Sequence, residues 1–82
     1  MNDMKTYLVN LIEEKGKSLE TPVVIEGHFG MTLENVVEFI CSLSNKDQKE
    51  CRNKLVYIDF RNGDVFHFFQ YIAEGMAKLT EF

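Results

Sequence analysis

The chain is poor in the residues that break or staple a fold: it has one proline, five glycines and two cysteines in 82 residues. So little proline and glycine excludes a collagen-like or low-complexity chain. The two cysteines, Cys41 and Cys51, stand ten positions apart with no C-x-x-C pair, which excludes a disulfide framework and the short paired spacing of a structural zinc site. Cys41, Cys51, His28 and His67 could on paper supply four zinc ligands, but their scattering lacks the short paired spacings of structural sites; no metal and no cofactor is expected. Basic charge is also scarce. Nine Lys and Arg against thirteen Asp and Glu give a net charge of −4, which argues against general affinity for nucleic acid, because that affinity comes from a positive surface releasing counterions. Glu38 and His67 break the longest apolar stretches, so nothing approaches the roughly 18 to 20 apolar residues of a membrane span. No charged-then-apolar leader is read at the start of the chain. With the free thiols, this predicts a cytoplasmic protein without a membrane partner.

What is present is ordinary globular composition, with 45% hydrophobic and 27% charged residues, enough for one small domain over residues 1–82. A domain of this size buries only about 60% of the surface its unfolded chain exposes, so its stability is thin without self-association, disulfides or metal. Charge is unevenly spread. Residues 1–43 hold all of Glu13, Glu14, Glu20, Glu26, Glu34 and Glu38 together with Asp3, against Lys5, Lys15 and Lys17, whereas residues 44–82 are balanced. The basic run from Lys46 to Lys54 is interrupted by Asp47 and Glu50 and reads as a solvated helix face.

Periodicity predicts the elements. Met4, Tyr7, Leu8, Leu11 and Ile12 recur at helical spacing within Asp3 to Lys17, and Gly16 marks a stop. Val23-Val24-Ile25 is a β-branched run bounded by Gly27 and Gly30, which predicts a short strand. Thr32 is placed to cap a helix carrying Leu33, Val36, Val37, Ile40 and Leu43 on one face, and Ser44 to cap another with Gln48, Cys51, Arg52 and Leu55 on one side. Leu55 to Phe60 alternates like a strand and also continues the Cys51 and Leu55 helical stripe; we read it as a strand. Asn62-Gly63 supplies the turn, and Asp64 caps a last helix from Val65 to Leu79.

An internal echo supports that reading. Val23 to Gly30 aligns with Val56 to Gly63 at an offset of 33 positions, each copy running strand, acidic residue, glycine turn, capping residue, amphipathic helix. Any two amphipathic helices align well, so coincidence explains the match as readily as duplication. The expected class is therefore helix-rich α+β in the order αβααβα, with two short strands; the alternative is an all-α bundle of four helices.

Candidate chemistry is sparse. Glu26 and Asp59 occupy matching positions of the echo, and His67 lies one turn beyond the Asp64 cap, but acids on short strands and surface histidines are ordinarily just solvated. Walker, dinucleotide and nucleophile motifs are missing, no small-molecule substrate is inferred, and a non-enzymatic protein is expected. The last helix is apolar on more than one side. Phe66, Phe69, Tyr71 and Ala73, with Phe82 beyond it, form the expected interface of a homodimer or a complex with a protein partner, since contiguous exposed apolar surface marks association sites. The alternative function is an acidic inhibitor or regulator using the six glutamates to occupy a basic, nucleic-acid-binding surface of another protein.

Overall fold

A computed structural model describes residues 3–79. It contains four helices: α1 (Asp3–Glu14), α2 (Leu33–Cys41), α3 (Asn45–Phe60) and α4 (Val65–Leu79). The expected αβααβα order is overturned and the four-helix alternative describes the chain. Among the described residues there is no sheet, only two isolated antiparallel bridges, Pro22 to Thr32 and Ile25 to His28.

Helix boundaries follow local chemistry. Ser44 Oγ accepts from the Asp47 N–H at the start of α3, and Asp64 Oδ1 accepts from the Phe66 N–H at the start of α4, satisfying donors that lack intrahelical partners. At α2 the Thr32 N–H and hydroxyl both donate to Asn35 Oδ1. The preceding loop completes that cap: Leu33 N–H donates to Thr21 O and Glu34 N–H to Leu19 O. Helix α1 stops at Glu14, three residues short of the expected Lys17. Gly16 there takes φ +83°, with Lys17 N–H donating to Ile12 O and Gly16 N–H to Glu13 O, the Schellman arrangement.

The same motif ends α3 and explains the misread strand. Asn62 takes φ 56°, its N–H donates to Asp59 O, and the Gly63 N–H donates to Ile58 O. Asn62-Gly63 is thus a helix stop rather than a hairpin turn. Residues 55–60 are helical because the stripe Cys51, Leu55 and Ile58 turns toward the core, Cys51 and Leu55 being buried and Ile58 half-buried. Val56, Tyr57 and Phe60, whose apolar character produced the appearance of a strand, all point to solvent. The other expected strand, Val23 to Ile25, is extended and alternates, with Val23 and Ile25 buried and Val24 exposed, but it has no neighbouring strand to pair with. With a loop in one copy and a helix in the other, the echo is not a structural duplication.

The core is built around α2, which packs on α1, α3 and α4. Leu33, Val36, Val37 and Ile40 on α2 meet Met4, Leu8, Leu11 and Ile12 of α1 and Val65, Phe69, Ala73 and Ala77 of α4 in one buried cluster. No helix among the described residues is long and apolar enough to cross a membrane.

Glycine 63 is needed for space rather than for its dihedral. A Cβ added there would stand 2.9 Å from Ile58 Cγ2 and 3.2 Å from Ile58 O, part of it rigid backbone. Gly63→Ala is expected to lower stability by about 1–3 kcal/mol through this overpacking. Asn62→Gly, which relieves a left-handed Asn, is expected to leave stability unchanged or raise it by up to about 1 kcal/mol. Urea denaturation of both variants beside the parent measures the contrast.

Candidate functional site

Aromatic side chains sort by depth, and the sorting divides the residues expected to form a contact surface. Of the expected interface residues, Phe69 and Ala73 are completely buried against the other helices, so they hold the fold together and present nothing to a partner. The i, i+4 spacing of Val65, Phe69, Ala73 and Ala77 selects this innermost face of α4. Phe66 is half-buried, its ring 6.0 Å from that of Phe69, with the Lys17 ammonium 5.8 Å from its centroid. Tyr71 is 68% exposed. Phe82 lies outside the described residues. Seven Phe and three Tyr therefore yield one fully interior ring among those described, and Phe29, Tyr57, Phe60 and Tyr71 stand in solvent.

Tyr71 lines a cleft of about 770 Å³ between α3 and α4. Helix α3 contributes Asn53, Lys54, Tyr57 and Ile58, and α4 contributes Asp64, His67, Phe68 and Tyr71. Both sets follow three- and four-residue helical spacing, so each is one face of its helix. Half-buried Ile58 and Phe68 and the exposed rings of Tyr57 and Tyr71 supply the apolar lining; Lys54, Asp64 and His67 supply its charged and titratable groups. Asp64 is already engaged as the α4 cap. The Arg61 guanidinium donates to the Tyr57 hydroxyl at 3.0 Å, which steadies that ring on the α3 side. Composition alone gave no reason to choose Tyr57 and Ile58, because their segment was read as a strand.

A smaller groove of about 350 Å³ separates α1 from α3 and is lined by Tyr7, Leu11, Val56 and Phe60 among others. Polar contacts bridge it. The Lys15 ammonium donates to Asp59 Oδ1 at 2.5 Å, and Arg52 lies 4.7 Å from the centre of the Tyr7 ring. Asp59 is thereby committed to Lys15, while Glu26 sits exposed in the turn between Ile25 and His28. The structure gives this carboxylate pair, and His67 on the exposed side of α4, no shared catalytic arrangement. Among the described residues no group of three or more His, Cys, Asp or Glu is positioned to hold a metal ion. The six glutamates of the acidic half are all exposed.

Comparison with protein-family models, with curated proteins and with solved structures returns no match.

Among the described residues, Lys15, Tyr7 and Cys51 titrate above their ordinary values. The Asp59 hydrogen bond raises Lys15, burial raises Tyr7 against the opposing Arg52 charge, and burial with the Asp47 and Glu50 carboxylates raises the Cys51 thiol. The buried Cys51 and half-buried Tyr7 hold their protons in the folded chain at pH values where the unfolded chain releases them. Stability therefore falls with rising pH from the ordinary thiol value of about 8.5 upward. Lys15 adds the same sign, since the stabilisation from its bond to Asp59 is present below the ordinary lysine value and is lost as the pH rises through its raised one. Thermal melts from pH 6 to 10 should be flat below about pH 8 and decline above it. Cys51→Val should remove the first part of the decline. The correction to the α4 interface has its own check: Phe69→Ala should cost about 3–5 kcal/mol, a large share of the roughly 4–12 kcal/mol available to a chain of this length. Tyr71→Ala should cost less than about 1 kcal/mol.

Proposed function

We propose that this chain is a small non-enzymatic interaction module that associates with itself through the α3–α4 cleft. The observation that carries the reading is the pair of exposed tyrosines, Tyr57 at 60% and Tyr71 at 68%, on the two helices lining an apolar cleft of about 770 Å³. Tyrosine is favoured at contact surfaces because it offers a large rigid ring with a polar tip at the cost of two torsions. Two helices with a furrow between them also match a recurring recognition mode, in which apolar side chains at helical spacing seat a partner's apolar segment. The contact surface is thus Tyr57, Ile58, Phe68 and Tyr71, with Tyr71 retained from the surface expected of α4 and Phe69 and Ala73 beneath it.

The second reading, an acidic regulator of a basic surface, is favoured by the full exposure of Glu13, Glu14, Glu20, Glu26, Glu34 and Glu38 on α1, α2 and the loop between them. The two readings respond oppositely to salt. Apolar cleft association should hold or strengthen as salt rises, whereas binding through six carboxylates should fall steeply.

Sedimentation equilibrium across micromolar to millimolar concentration tests the first reading. The parent should show a concentration-dependent rise in mass, and Tyr71→Glu and Tyr57→Glu should each weaken it at least tenfold with the far-ultraviolet circular dichroism unchanged. A parent that stays at 9.6 kDa throughout sinks the proposal.

A further inference from the structure

We propose that the segment filling the α3–α4 cleft is the Val24–Phe29 loop of a second copy, an inference that rests on the cleft being a self-association surface. Phe29 is 98% exposed, the most exposed large apolar side chain described, and it is not on a loose strand of chain. The loop that carries it is tied at several points. Val23 N–H donates to Met31 O, His28 N–H to Ile25 O, and the Gln70 side-chain amide of α4 to Val24 O. Val23 and Ile25 anchor it in the core, and Gly27 and Gly30, at φ +81° and +84°, allow the left-handed turns on either side of the ring. A ring held out in water on a preformed loop loses little freedom when it binds, which is the condition for an efficient anchor.

The cleft suits that anchor in size and charge. A cavity of roughly 150 Å³ accommodates a benzene ring, so 770 Å³ leaves room for Phe29 with neighbouring loop atoms. Glu26 lies in the loop and Lys54 in the cleft, one pair of opposite sign; the carboxylate of the cleft, Asp64, faces the α4 N-terminus and accepts the Phe66 N–H. The loop rests on the Phe66 and Gln70 side of α4, and its near-total exposure shows that Phe29 does not occupy the cleft of its own molecule. A membrane surface is the other apolar acceptor for such a ring, and a chain of net charge −4 is poorly matched to an anionic leaflet. Because ring and cleft are different surfaces, one junction leaves one of each unfilled, and reciprocal exchange closes a dimer.

Complementation tests this. Phe29→Asp keeps the cleft and loses the ring; Tyr71→Glu keeps the ring and spoils the cleft, and both sites are exposed enough to leave the fold intact. Each variant alone should associate at least tenfold more weakly than the parent. Adding unlabelled Tyr71→Glu to methyl-labelled Phe29→Asp should move the Ile58 methyl signal upfield in a saturable manner, and an unlabelled copy with both substitutions should not. If the parent associates and Tyr71→Glu weakens it while Phe29→Asp does not, or if mixing leaves Ile58 unmoved, the loop is the wrong occupant and the cleft reading survives. A parent that remains monomeric overturns both. Phe29-dependent sedimentation with phosphatidylcholine vesicles, without association of the parent, assigns the ring to a membrane and overturns the proposal.

Discussion

Burial of one face of α2 is the contact on which the other helices depend. Nine residues, four of them in the core, touch α1, α3 and α4, and the remaining helix contacts are arranged around that short rod. At 1.5 Å per residue α2 is roughly 14 Å long, while α3 and α4, of 16 and 15 residues, run to roughly 24 and 22 Å. Tyr57, Phe60, Tyr71 and Leu79 emerge on the sides of α3 and α4 turned away from the buried cluster, Tyr71 between fully buried Phe69 and Ala73.

Helical periodicity sets how α4 divides its labour. The inner side of α4 is filled with residues graded to fit, a large Phe69 beside small Ala73 and Ala77, which lets α4 approach α2 closely. Its outer side carries Phe68, Tyr71 and Ile72, which have no equivalent cover. On α3 only Cys51 and Leu55 are buried, and that helix leans on polar fastenings at its far side, the Lys15 to Asp59 ion pair and the Arg52 to Tyr7 contact. Exposed fastenings of this kind contribute little stability, but they fix how α1 and α3 sit across their groove.

Much of this was legible in the residues. The caps Ser44 and Asp64, the start of α2 after Thr32, the limits of α4 and the stripe of α1 all follow from local propensity, because the groups that satisfy a helix end are neighbours in sequence. Two segments were not legible, for different reasons. Leu55 to Phe60 carries more apolar residues than its buried stripe requires, and the additional ones, on the outside, imitated the alternation of a strand. Asn62-Gly63 then fits either a hairpin or a helix stop, and only the position of Ile58 O, five residues back from Gly63, decides between them. Val23 to Ile25 has the conformation its β-branched residues favour, yet a strand needs a neighbour, and none is encoded in its surroundings. The cleft was hidden by the first of these errors, since Tyr57 and Ile58, two of its eight lining residues, lie on the stretch taken for a strand, and the prominence of Phe29 depends on loop anchors remote in sequence.

Gln48 has a role that its modest place in α3 conceals. Its side-chain amide donates at 2.9 Å to both Cys41 O and Leu43 O, two carbonyls at the end of α2. A single amide thus bolts the exit of one helix to the second turn of the next and turns the Ser42–Ser44 corner into a fixed elbow. Helices α2 and α3 are thereby joined across that corner by a side chain as well as by the main chain.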